Sequence, residues 1–150
     1  MTAGADYMAA LDAWRGKVNG GLKALARQSV LDLAQNVVLD TPVDTGFLRG
    51  GWQPTIGGIP APQGDGEHPL DPGGGIAVAN IGLKAAELEP GELFVMANFT
   101  VYALRLEYGF VGEDSLGRYY NQAGRYFVTN NVAMWDKIVA YRANIIWGGK

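Results

Sequence analysis

Acid–base and metal-binding side chains concentrate in two places: His68 with Asp65, Glu67 and Asp71, and Glu107 with Glu113 and Asp114. His68 is the only histidine, so any Ser-His-Asp arrangement has to use it. It lies between Glu67 and Pro69, in a glycine- and proline-rich stretch poorly suited to holding a base within hydrogen-bond reach of a nucleophile. A solvated loop histidine is the expectation. Oxygen ligands at alternating positions are what calcium loops use, but Asp65, Glu67 and Asp71 miss the D-x-[DN]-x-[DN]-G pattern and its closing glutamate. Glu107, Glu113 and Asp114 could supply a glycosidase's two carboxylates, yet sequence carries no spatial separation, and a solvated acidic rim is expected. Neither G-x-x-x-x-G-K-[ST] nor G-x-G-x-x-G occurs, and the glycine run 73–75 lacks the lysine that phosphate binding uses. No catalytic residue, cofactor or metal is expected.

Composition narrows the field further. Twelve basic against 15 acidic residues, a formal charge of −3, leave no basic footprint for wrapping a polyanion. The tyrosines and tryptophans lack the basic neighbours of a base-stacking groove and are expected in the core or at interfaces. The absence of cysteine removes disulfides, thiolate nucleophiles and thiolate-bound zinc together. There is no basic-then-apolar leader and no run of about 18 apolar residues, so a soluble chain made in the cytoplasm is expected. With 150 residues, one domain burying roughly 70% of its unfolded surface is expected.

The elements that must position these residues follow from periodicity. Leu11, Trp14, Val18, Leu22, Leu25, Leu33 and Val37 form one helical stripe. Gly16, Gly20 and Gly21 each cost about 1 kcal/mol inside a helix, which makes about 21–40 the expected helix and leaves 1–18 as a separate helix or an N-terminal extension. Pro42 ends it near Asp40. Residues 57–75 have no apolar period and read as an exposed, mobile Gly/Pro loop, the tip of a hairpin. A helix over about 75–88 and a strand over 92–98 follow. The stretch 99–110 is open between strand, by composition, and a short helix stopped by Gly109, with the helix preferred. Residues 111–123 read as polar loop, and Phe127, Asn131, Met134, Ile138, Tyr141 and Ile145 predict a second long helix over about 124–146. The fold class is α+β, a small β-sheet packed by two long helices.

Three segments together carry a resemblance: "TPVDTGFLRGGW" (41–52), "NFTVYALRLEYG" (98–109) and "NQAGRYFVTNNVAMWDKIV" (121–139). In order and spacing they resemble the head–tail joining and tail completion proteins of long-tailed bacteriophages. Two departures are the long 57–75 loop and "NQAGRY" in place of an Ala-Pro-x-Gly before the last helix. The resemblance implies a non-enzymatic virion protein of the neck, a tail terminator or joining protein, assembled in the host cytoplasm. It further implies a homo-oligomeric ring, six copies being the number a long-tailed phage suggests, between the connector or adaptor proteins and the tail tube. DNA passes through such a ring without specific binding, and no membrane is involved.

Within these segments Asp44, Thr45, Gly46, Arg49, Trp52, Asn98, Tyr102, Glu107, Tyr108 and Gly109 are the structural or interface candidates. Asp44 is expected to form the turn by accepting backbone N–H groups, with Gly46 supplying a conformation closed to bulkier residues. Arg49 and Glu107 are expected to pair, within the fold or across a subunit boundary. Trp52 is expected in the core. Two other classes stay open, a small hydrolase using the acidic loop residues and a monomeric or dimeric binding module.

Overall fold

A computed structural model describes residues 2–63 and 68–148. Asp65 and Glu67, two of the candidate metal ligands, lie outside the described residues. The protein is α+β, with a long N-terminal helix, two small antiparallel sheets and a C-terminal helix.

Helix α1 (Ala3–Asp40) is one continuous element of 38 residues, about 57 Å long. It therefore runs through the segment left open between a separate helix and an extension. Thr2 caps its start, carbonyl and hydroxyl both accepting the Ala5 amide. Once nucleated, a helix gains one hydrogen bond per added residue, so isolated glycines weaken it without breaking it. Gly21 has a packing reason to be glycine: the Trp147 indole lies so close that a Cβ there would sit 2.7 Å from its ring. The C-terminal limit is where Pro42 puts it, with Thr41 in extended geometry.

Next come the short helix α2 (Phe47–Gly50) and strand β1 (Trp52–Ile56). Helix α3 (Gly75–Ala85) and strand β2 (Phe94–Asn98) match the expected helix and strand in place and type. β1 and β2 pair antiparallel, Trp52 opposite Asn98 and Ile56 opposite Phe94. The core gathers Val37 and Val38 of α1, Leu48 of α2, Trp52 of β1, Ile81 of α3 and Phe127.

The connection after β1 is only partly a free loop. Residues 68–74 are tied down: Asp71 is buried, its amide donating to Gly46 O at 3.0 Å and its carboxylate accepting the Ala77 amide of α3 at 2.8 Å. His68, expected to be solvated, is half-buried with its ring 4.1 Å from that of Phe47. The mobile-loop expectation overlooked that an acidic residue ahead of a helix satisfies its otherwise orphaned amides.

Helix α4 (Ala103–Tyr108) is the short helix expected there, stopped by Gly109 at φ +86°. The next segment overturns the polar-loop expectation, being a hairpin of β3 (Gly109–Glu113) and β4 (Tyr119–Ala123). Asp114 closes its turn, one carboxylate oxygen accepting the amides of Leu116 and Arg118, each at 2.9 Å. The single sheet of the expectation is thus two separate two-stranded sheets.

The second long helix is also revised. Residues 124–128 are irregular, with Tyr126 at φ +50°; a four-residue helix α5 (Thr129–Val132) follows, and α6 (Trp135–Trp147) runs for 13 residues after a turn. The apolar period is real, but tertiary hydrogen bonds take over its first turn: Arg125 N and Tyr126 N donate to the carbonyls of Leu106 and Glu107 in α4. α6 lies along α1, fastened by Arg142 to both carboxylate oxygens of Asp32 at 2.6 and 2.8 Å.

Gly46 gives a direct check. It sits at φ +90°, and a Cβ there would press on the Asp71–Pro72 backbone, 2.7 Å from the Asp71 carbonyl carbon. Gly57, at φ +94°, has nothing within 4 Å. Both Gly→Ala changes incur backbone strain of about 1 kcal/mol, and only Gly46→Ala adds a clash of roughly 1–3 kcal/mol. Urea melts should rank Gly46→Ala well below Gly57→Ala; equal midpoints would contradict the close approach.

Candidate functional site

The resembling segments meet at the C-terminal end of α1. A helix end leaves carbonyls without partners; here Val37, Val38 and Thr41 are buried while Leu39 and Asp40 are exposed, and side chains supply several of the donors. Thr41 is fully buried: its amide and hydroxyl both donate to Val37 O, the hydroxyl at 2.6 Å. The same hydroxyl accepts from the Trp52 indole N–H at 2.9 Å. Arg49 closes the rest, one guanidinium nitrogen donating to Leu39 O at 2.8 Å and Thr41 O at 2.9 Å, another to Pro72 O at 2.6 Å. A cation beside a helix C-terminus is further favoured by the helix dipole. Thr41, which sequence reasoning passed over, is the residue all three strands of this network share. The signal available was a β-branched hydroxyl residue directly before a proline, at a helix end.

The remaining candidates divide between this junction and a second one. Asn98 joins the first, its side-chain amide donating to Leu48 O at 2.6 Å and its oxygen accepting the Thr100 amide. Trp52 is core, as expected, with its ring edge-on to Phe127 at 6.5 Å. The turn is built differently from the expectation: Thr45, through its hydroxyl, accepts the Phe47 amide at 3.3 Å, and Asp44 stays exposed. Gly46 adopts the left-handed conformation foreseen for it. Asp44 and Tyr102 border a concavity of about 420 Å³ with Pro42, Val43 and Leu106. Burial, then the Asp44 charge, raise the Tyr102 hydroxyl above its ordinary value.

Glu107 forms the second junction and corrects two expectations. It is buried, 4% exposed, rather than part of a solvated rim. Nor does it pair with Arg49 within the chain: its carboxylate accepts the amides of Val128 and Thr129 at 2.9 and 2.8 Å and the Thr129 hydroxyl at 2.5 Å. It thereby caps the N-terminus of α5, where a negative charge is favoured. Burial alone would raise its pKa, but the Thr129 hydroxyl and the amides of Val128, Thr129 and Phe127 outweigh that and hold it below the ordinary 4.5. Tyr108 is exposed and edge-on to Tyr126, and Gly109 allows the chain to pass within 2.6 Å of Gln122 O, counted from a hypothetical Cβ. Asn131 adds a tie between elements, its side-chain amide bridging Asp40 and Phe127 O.

Arg49 and Glu107 are thus bonded mainly to backbone groups of the same chain, with the buried Arg49 Nε left without a partner among the described residues. Glu113 and Asp114 lie in the β3–β4 hairpin, and Asp114 is occupied by its own turn and by Arg118. Among the described residues, no three His, Asp or Glu side chains are grouped to hold a metal, and no helix is long and apolar enough to cross a membrane. Comparison with family models, with characterised proteins and with solved structures returned no match.

Two measurements follow from this geometry. Because Arg49 and Glu107 share no partner, Arg49→Ala and Glu107→Ala should each cost about 1.5–3 kcal/mol and add to within about 0.5 kcal/mol in a double-mutant cycle. A coupling well above that would restore a direct pair. Since the folded pKa of Glu107 is lowered, its contribution is complete above the unfolded value near 4.5 and is lost as pH falls through the lower folded value. Glu107→Gln should therefore flatten the acid limb of a stability–pH profile below about pH 4.5; an unchanged limb would rule Glu107 out as its source.

Proposed function

We propose that the chain is a structural, non-enzymatic subunit of a phage neck, completing or capping the tail and joining it to the head. In this reading it forms a homo-oligomeric ring, with six copies expected, seated between connector or adaptor proteins and the tail tube. DNA passes through its channel without specific binding, and the protein assembles in the host cytoplasm and ends in the virion.

The observation that carries the reading is apolar surface without a partner. The chain exposes 9496 Å², against about 7,400 Å² for a compact monomer of 16.0 kDa. Tyr7, Trp14, Val111, Tyr119, Tyr141 and Ile145 are each at least half exposed. Every residue of β4 is exposed, and a two-stranded ribbon of that kind is marginal by itself. Such surface suits a ring subunit, which has to satisfy two lateral neighbours as well as axial ones. The segments that carry the resemblance fit the same reading: Thr41, Arg49, Trp52, Asn98 and Glu107 hold the fold together, as the residues of a structural scaffold do.

Purified protein mixed with tail tubes of a long-tailed phage should appear by negative-stain imaging as rings or as caps at tube ends. Tubes with bare ends at saturating protein would overturn the reading.

A further inference from the structure

The uncovered apolar surface includes two features that match one another. From Ala3 to Gly20, about 27 Å of α1 carries exposed side chains throughout, apart from half-buried Leu11 and Val18. α6 reaches only as far as Gly21, where Trp147 lies against α1. Beyond that point Tyr7, Leu11, Trp14 and Val18 continue at intervals of four, three and four as one helical stripe, with Tyr7 67% and Trp14 61% exposed.

The second feature is a groove of about 450 Å³ at the other end of the same helix. Ala34, Val37 and Trp52 form its floor, and Met96, Val132 and Trp135 its walls. Its α1 side runs from Ala26 to Val37, eleven positions or about 17 Å. The stripe from Tyr7 to Val18 also covers eleven positions.

We infer that residues 3–18 of one copy lie in the groove of the next, with the Tyr7, Leu11, Trp14 and Val18 side chains covering Met96, Val132 and Trp135. The occupant cannot be the chain's own arm, because arm and groove wall are segments of one continuous helix and a rod does not fold back on itself. A second copy supplies a segment of matching length and apolar character. The surplus exposed area, about 2,100 Å² per copy, exceeds the roughly 1,600 Å² that two standard interface faces of about 800 Å² each would take from one copy. Each copy donates one arm and receives one, a heterologous contact that leaves no copy unsatisfied once it closes into a ring. The inference needs self-association alone and does not depend on the neck reading.

The absence of native cysteine makes cross-linking free of background. Sedimentation velocity of the full chain at tens of micromolar should show an oligomer, and Trp14→Asp should raise its dissociation constant at least tenfold with the circular dichroism unchanged. Under oxidation, Ala10→Cys combined with Val132→Cys should give a ladder beyond dimer, while either cysteine alone gives little. A full chain that stays monomeric, an oligomer indifferent to Trp14→Asp, or Ala10→Cys alone forming dimers with no ladder from the pair would each overturn the inference. Tube capping by a chain whose oligomer ignores Trp14→Asp refutes the arm alone; arm-dependent oligomers that ignore tubes refute the neck reading alone.

Discussion

The structure depends on one constraint: the carbonyls at the partly buried end of α1 need donors. The last turn of a helix leaves carbonyls without intrahelical partners, and those removed from water are expensive if unpaired. Thr41 and Arg49 supply the donors, and in doing so they place everything nearby. The Thr41 hydroxyl orients Trp52 and so the start of β1, while the Arg49 guanidinium reaches Pro72 and brings the end of the 57–75 connection down beside α2. Asp71, held in that position, then receives the first turn of α3.

Glu107 repeats the logic at the opposite kind of helix end. Its carboxylate answers amides at the start of α5, and because it is carried by α4, the two short helices are locked together across the β3–β4 hairpin between them. Both charges are hydrogen-bonded to backbone groups of the same chain. Charged residues placed this way add specificity to a small core that Val38, Ile81 and a few neighbours would otherwise hold alone. The two junctions meet through the apolar contact of Trp52 with Phe127 and through Asn131, whose side-chain amide donates to Asp40 at the end of α1.

The half of α1 that nothing covers is the counterpart of this tightly tied end. A helix can extend past its domain only if cooperative hydrogen bonding sustains it, and an apolar stripe kept in water is favourable only when a partner removes it. The proposed exchange of arms between copies accounts for both the projecting helix and the open groove.

Local signals in the sequence determined much of the element list. Pro42 set the end of α1, the turn residues around Pro90 and Gly91 marked β2, and Gly109 stopped α4, each through its own backbone limits. The left-handed Gly46 and the burial of Trp52 were legible for the same reason. The partners of Arg49 and Glu107 were not, because a charged side chain in a motif carries no record of which backbone groups will lack donors or acceptors once helix ends are packed. The β3–β4 hairpin was missed because its residues pair across a turn and bury little, so no apolar alternation marks it. The second long helix was overcalled because a helical period records which face is apolar, whereas continuity was decided by the hydrogen bonds of residues 125 and 126 to α4. Periodicity and backbone limits are local and can be read along the chain; which buried polar group meets which is a property of packing, and only the tertiary structure decides it.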